Sequence, residues 1–209
     1  MYTHQKNIIT AGVPVAGAKS AVIFIHGRGA SASDIMALSD HLQIEDAAFF
    51  APQATNNSWY PYSFMAPVKE NQPALDSALE VIKDLVTAVE NDGIPLDRIY
   101  FVGFSQGACL TLEYISRNAA KYGGAVAFTG GLIGKEINMQ NYKGNFKQTP
   151  VLITTGDPDP HVPVSRVELS KGIIEKMNAN VTVKIYPGRP HTIGKQEIDL
   201  ARKLVFEQA

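Results

Sequence analysis

Arg98-Ile99-Tyr100-Phe101-Val102-Gly103-Phe104-Ser105-Gln106-Gly107-Ala108 is the stretch on which the reading of this chain turns. Its first five residues form a mostly apolar run that reads as a buried strand, and Gly103–Gly107 follows it as G-x-S-x-G. From Ala108 to Ala119 the pattern becomes helical. The string alone is weak, since about one chain in ten of this length would carry it by chance. A strand before it and a helix after it make it specific. A serine on a tight strand-to-helix turn stands where backbones approach closely, so small flanking residues relieve the crowding and leave Oγ exposed. The helix behind it offers free N–H groups and a positive dipole end.

Outward from this point the chain alternates strand and helix. Ala21–Ile25 is a continuous apolar run ending in His26-Gly27, as expected of a strand buried on both faces of a parallel sheet. Further strands are predicted at Asp46–Ala51, Gly124–Phe128, Val151–Thr155 and Val181–Tyr186, with an edge strand at Asn7–Thr10. Leu75, Leu79, Ile82, Val86 and Val89 share one helical face, and Gly93 and Pro95 close that helix. Helices are also predicted over Val167–Met177 and Glu197–Phe206, and Ser31-Ala32-Ser33-Asp34 has the form of a capping box. Such alternation implies βαβ crossovers and a mainly parallel sheet with helices on both faces. No repeat or linker divides residues 1–209, so a single domain is expected. One segment stands out, Pro52 to Pro73, which spaces Trp59, Tyr60, Tyr62 and Phe64 between four prolines.

Bulk composition narrows the function classes. The 209 residues are 45% hydrophobic and 19% charged, which are globular values. Nineteen Lys and Arg stand against 20 Asp and Glu, a formal charge of -1 that gives no footing for nucleic acid or anionic lipid. No apolar run is long enough to span a bilayer. Cys109 is the single cysteine, so no intrachain disulfide forms. With a polar start lacking a signal-like h-region, a soluble cytoplasmic protein is expected.

A serine nucleophile needs a base, and the base an orienting acid, in the chain order Ser, acid, His. Only His161 and His191 follow Ser105, and His191 lies in the loop after the predicted strand Val181–Tyr186. That loop is the expected seat of the base. Two acids, Asp157 and Asp159, follow the strand Val151–Thr155, and spacing leaves both open. The oxyanion of an acyl transfer needs two backbone donors: Gln106, next after the nucleophile, and a second from the loop His26-Gly27-Arg28-Gly29. The five histidines show no metal-ligand spacing, so neither a metal nor a cofactor is expected.

His26-Gly27-Arg28-Gly29, Gly103–Ala108, Gly156-Asp157-Pro158-Asp159-Pro160-His161-Val162-Pro163 and Pro190-His191 together resemble the phospholipase/carboxylesterase family of α/β-hydrolases, whose relatives include acyl-protein thioesterases. The resemblance runs from about Ala21 to the C-terminus and implies an α/β-hydrolase fold without a cap domain. It assigns the nucleophile to Ser105, the acid to Asp159 and the base to His191, leaving Asp157 as a turn residue. It also assigns the second oxyanion donor to the N–H of Arg28. The Arg28 side chain departs from the apolar residue of many thioesterase relatives. Two roles stay open for it, screening an acidic group of the substrate or pointing to water. His26 reads as a structural loop residue. Trp59, Tyr60, Phe64, Leu132, Ile133 and His161 are candidates for the substrate pocket, and the aromatics read equally well as pins holding a long loop to the core.

The His-Gly-Arg-Gly start and the Trp59-Tyr60-Pro61 stretch look like those of small bacterial carboxylesterases, which implies a small carboxylic ester as substrate. A rival is an acyl-protein thioesterase or lysophospholipase acting on longer chains. A catalytically inert binding protein on the same scaffold, or a lyase, would be separated from both by the absence of an acyl-enzyme. Whether two copies pair as a homodimer is left open by the sequence.

Overall fold

The computed structural model describes residues 2–207. Its sheet contains β1 (Ile8–Gly12), β2 (Ser20–Ile25), β3 (Ala47–Pro52), β4 (Ile99–Phe104), β5 (Gly124–Phe128), β6 (Pro150–Asp157) and β7 (Asn180–Pro187). They lie in the order β1-β3-β2-β4-β5-β6-β7. Every neighbouring pair is parallel except β1 with β3, so the N-terminal strand is an antiparallel edge. The mainly parallel α/β sheet expected from the alternation is present.

Among the described residues, seven α-helices flank it: α1 (Ala32–Met36), α2 (Ser39–Leu42), α3 (Val68–Asn71), α4 (Ala74–Asn91), α5 (Gln106–Arg117), α6 (Val164–Lys176) and α7 (Lys195–Ala201). The two-residue period of β2 shows how both faces are filled. Ala21, Ile23 and Ile25 point to the side where α4, α5 and α6 bring Leu75, Ile82, Leu110 and Ile174. Val22 and Phe24 point to the other side, against Ile35 and Met36 of α1, Leu42 of α2 and Phe206. Along α4 the predicted face is buried except for Leu79, which is half-buried. The helix stops at Gly93, whose backbone takes φ of 101°. α1 has its capping box: Asp34 N–H donates to Ser31 Oγ at 3.2 Å, and Ser31 N–H donates to Asp34 Oδ2 at 2.7 Å.

Boundaries differ from expectation where turn geometry decides them. α5 begins at Gln106, two residues before Ala108, because the turn after β4 consists of Ser105 alone. α6 begins at Val164, with Arg166 N–H donating to the carbonyl of Pro163 at 2.9 Å. The final helix divides, α7 giving way at Arg202 to a wider π turn through Phe206. No excursion between strands builds a cap, and among the described residues no helix is long and apolar enough to cross a membrane.

The topology also locates a crevice. β2 and β4 are neighbours, yet β2 leads to α1 on one face and β4 to α5 on the other. Their connections therefore part at the carboxyl edge, the point where open α/β sheets bind ligands.

Candidate active site

Ser105 occupies that point. Its φ of 54° and ψ of −117° lie in a region non-glycine residues rarely visit, and such strain persists only where surroundings fix it. The flanking glycines show why nothing larger fits. A Cβ on Gly103 would stand 2.5 Å from the carbonyl oxygen of Gly107, and one on Gly107 would run into the carbonyl oxygen of Ile25. Ser105 N–H donates to Phe128 O at 3.0 Å, tying the turn to β5.

His191 arrives from the loop after β7. Its Nε2 is 2.8 Å from Ser105 Oγ, and its Nδ1 is 2.8 Å from Asp159 Oδ2. Since a carboxylate only accepts, Nδ1 carries the proton and Nε2 faces the serine as acceptor. Asp159 stands in the loop after β6, its carboxylate fully buried. Its other oxygen accepts the N–H groups of His161 and Val162, each at 2.9 Å. Burial pushes the Asp159 carboxyl up, but the hydrogen bonds from His191, His161 and Val162 outweigh it and hold the group below the ordinary carboxylate range. Asp157, the acid that spacing could not exclude, is exposed at the end of β6, and its carbonyl takes the N–H of Gly188 at 2.7 Å.

Arg28 and Gln106, the two residues expected to supply backbone donors, line the same crevice. The N–H of Gln106 opens α5 and so has no partner within the helix. Among the described residues neither it nor the N–H of Arg28 donates to another group. The side chains of these two residues converge on one segment. Arg28 Nη1 donates to Ser58 Oγ at 3.0 Å and to Pro61 O at 2.9 Å, while Nη2 donates to Tyr62 O at 2.7 Å. Gln106 accepts Trp59 N–H at 2.9 Å and donates to Tyr60 O at 2.9 Å. Residues 58–62 are thus gripped from both sides. The Arg28 side chain therefore does not simply point to water.

A cavity of about 660 Å³ opens over Ser105, walled by Arg28, Tyr60, Phe64, His161 and His191 among others. Of the six candidate pocket residues it includes Tyr60, Phe64 and His161, whose ring lies 4.9 Å from that of His191. Trp59, Leu132 and Ile133 stand elsewhere, a correction to the sequence reading. Trp59 is fully buried because its indole N–H reaches the carbonyl of His26 at 2.9 Å, so the ring turns inward and stacks 5.0 Å from the His26 ring. Leu132 and Ile133 lie in the core between α5 and α6, where Ser170 Oγ and Glu113 Oε2 accept their N–H groups at 2.9 and 3.1 Å. His26 is structural, as expected. Its Nδ1–H donates to Gly27 O at 2.7 Å, its Nε2 accepts Ala54 N–H at 3.1 Å, and burial holds its pKa down.

Several contributors escaped sequence reasoning. Glu197, fully buried at the start of α7, accepts the Arg189 guanidinium, the Gly194 N–H at 2.8 Å and the Thr154 hydroxyl. Arg189 also stacks 4.3 Å over the ring of Tyr186. These contacts fix both ends of the short loop that carries His191. A glutamate three residues after the helix-opening Gly194 was the available signal, being half of a capping box. Cys109 also lines the cavity, buried beneath the turn with its thiol pushed up to about 12 by burial.

A model of the phospholipase/carboxylesterase family matches residues 6–206. An acyl-protein thioesterase 1 of Kluyveromyces lactis is 28% identical, over 92% of this chain and 93% of the relative. The crystal structure of a phospholipase/carboxylesterase from Dyadobacter fermentans is 63% identical, covers 98% of each chain and superimposes with a TM-score of 0.97. A Bacillus cereus carboxylesterase shares the fold at 20% identity, with a TM-score of 0.73 over 94% of this chain and 91% of that one.

Proposed function

This chain belongs to the phospholipase/carboxylesterase family of α/β-hydrolases, and from that premise we propose that it cleaves small carboxylic esters with Ser105 as nucleophile, His191 as base and Asp159 as the acid that orients the base. It is a serine hydrolase acting on ester bonds. The observation that carries the residue assignment is the unbroken line from Ser105 Oγ through the imidazole of His191 to Asp159, with 2.8 Å at each step.

Ser105 Oγ attacks the ester carbonyl as its proton passes to His191 Nε2. Asp159 keeps the Nδ1–H tautomer and stabilises the imidazolium that forms. Negative charge gathers on the former carbonyl oxygen, where the N–H groups of Arg28 and Gln106 receive it; one such donor is worth about 10²–10³ in rate. His191 returns its proton to the departing alcohol. Water, activated by the same imidazole, then releases the acid from the acyl-enzyme. No step calls on a metal or a cofactor. The preference for small esters is supported by an open cavity with no cap over it. The cytoplasmic location rests on the lone, buried cysteine and is tested by cell fractionation.

Purified wild type and Ser105→Ala, assayed on p-nitrophenyl esters from acetate to palmitate, test the reading. Hydrolysis is expected to peak at short chains and to fall by on the order of 10⁶ in the variant. A peak at long chains would move the protein toward the thioesterase reading that the Kluyveromyces relative's name supports. No serine-dependent turnover on any ester would overturn the proposal.

A further inference from the structure

Among the described residues, Arg28 is the one Lys, Arg, Asp or Glu side chain on the wall of the cavity over Ser105. Its guanidinium has no carboxylate partner among the described residues. The three oxygens it meets, Ser58 Oγ, Pro61 O and Tyr62 O, are all neutral, and the ring of Tyr60 lies 6.0 Å away. These contacts hold the group in place without cancelling its charge. They use three of its five N–H donors and leave the Nε–H and one Nη2–H. Arg28 is exposed and lines the same cavity as Ser105. A cation held in one pose, with two donors to spare, matches a carboxylate in charge and in planar geometry.

We propose that this site takes esters bearing a free carboxylate in the acyl part, the half-esters of small dicarboxylic acids, with Arg28 as the group that selects them. The inference rests on Ser105-dependent ester hydrolysis, as set out above. A carboxylate-bearing acyl group would set its far end against the guanidinium while its ester carbonyl lies between Ser105 and the N–H of Arg28. An alkyl chain of equal length gains nothing there, and leaves the cation without its partner.

The experiment measures methanol release from monomethyl glutarate and from methyl valerate, which differ in a terminal carboxylate against a methyl group. Wild type, Arg28→Met, Arg28→Lys and Ser105→Ala are compared. Wild type should favour the half-ester by about tenfold in kcat/KM, the scale of a charge-assisted hydrogen bond in a partly open cleft. Arg28→Met loosens the grip on residues 58–62 and lowers both rates, so the ratio is the informative reading, and it should fall to about one. Arg28→Lys should keep part of the preference, and added salt should reduce it in wild type. A wild-type ratio of one or below, or the same ratio in Arg28→Met, would overturn the assignment while Ser105-dependent hydrolysis stands. Absence of Ser105-dependent hydrolysis of either ester would defeat the underlying reading and this one with it.

Discussion

Replacing Glu197 with alanine removes the acceptor at the centre of a buried cluster that lies beside the proposed triad and outside the lining of the cavity over Ser105. The carboxylate is fully buried and the Arg189 side chain is 12% exposed, so solvent can do little to replace the lost partner. Three donors are stranded: the Arg189 guanidinium, the Gly194 N–H and the Thr154 hydroxyl. Breaking a buried ion pair from one side costs about 3–5 kcal/mol. In a chain of this length that corresponds to a fall in Tm on the order of 10 °C. Because Arg189 and Gly194 bracket His191, the relay to Ser105 should also loosen, and kcat should fall about tenfold or more while KM changes little. Urea unfolding, thermal melts and p-nitrophenyl acetate kinetics read the three quantities. The double variant Arg189→Met/Glu197→Leu, which removes both charges, should be far less destabilised than the sum of its singles. A Glu197→Ala protein within about 1 kcal/mol of wild type, with unchanged kcat, would refute the claim that this cluster positions the histidine.

Asp159 ties stability to acid. Its folded-state pKa lies below the ordinary carboxylate value near 3.9, so its contribution is complete above that value and is lost as pH falls through the depressed one. The stability gap between wild type and Asp159→Asn should therefore be largest near neutrality and shrink as the pH falls below the ordinary carboxylate value, as read by urea midpoints. Gly107→Ala should fail to give folded protein, since its Cβ would run into the carbonyl of Ile25; soluble, active variant would contradict the crowding described at the turn. Cys109, 1% exposed with its thiol pushed up to about 12, should resist a thiol reagent in the native state and react promptly in denaturant.

What could be read from sequence was whatever has a local signature. Ala21–Ile25 alternates toward two cores, so its continuous apolar run revealed both its strand and its central place. The serine turn was legible because its crowding demands two glycines at fixed offsets. Spacing did not separate Asp159 from Asp157, because two residues leave both within reach of the histidine; the family resemblance named Asp159, and the path of the loop brings that carboxylate to His191. Trp59 was misplaced for a related reason: an aromatic in a long loop reads the same whether it faces a ligand or caps a buried carbonyl 33 residues away. Glu197 and Thr154 stand 43 positions apart, a distance at which no period records a hydrogen bond. Leu132 and Ile133 follow the end of a strand, where a pocket wall is common, but buried acceptors on α5 and α6 draw them into the core.

The double grip on residues 58–62 has a bearing on how this cavity can change over evolutionary or laboratory time. The side chains of Arg28 and Gln106 hold the same five-residue wall, and their backbones are the donors proposed for the oxyanion. Substrate choice and rate acceleration are therefore fastened by shared bolts. A graft that recuts the wall for a new substrate will shift the reaction's own anchor points unless it keeps the oxygens those two side chains hold. Variation in preference should accordingly be easier to obtain at Phe64 and His161, which border the cavity but hold neither anchor, than within the Ser58–Tyr62 segment.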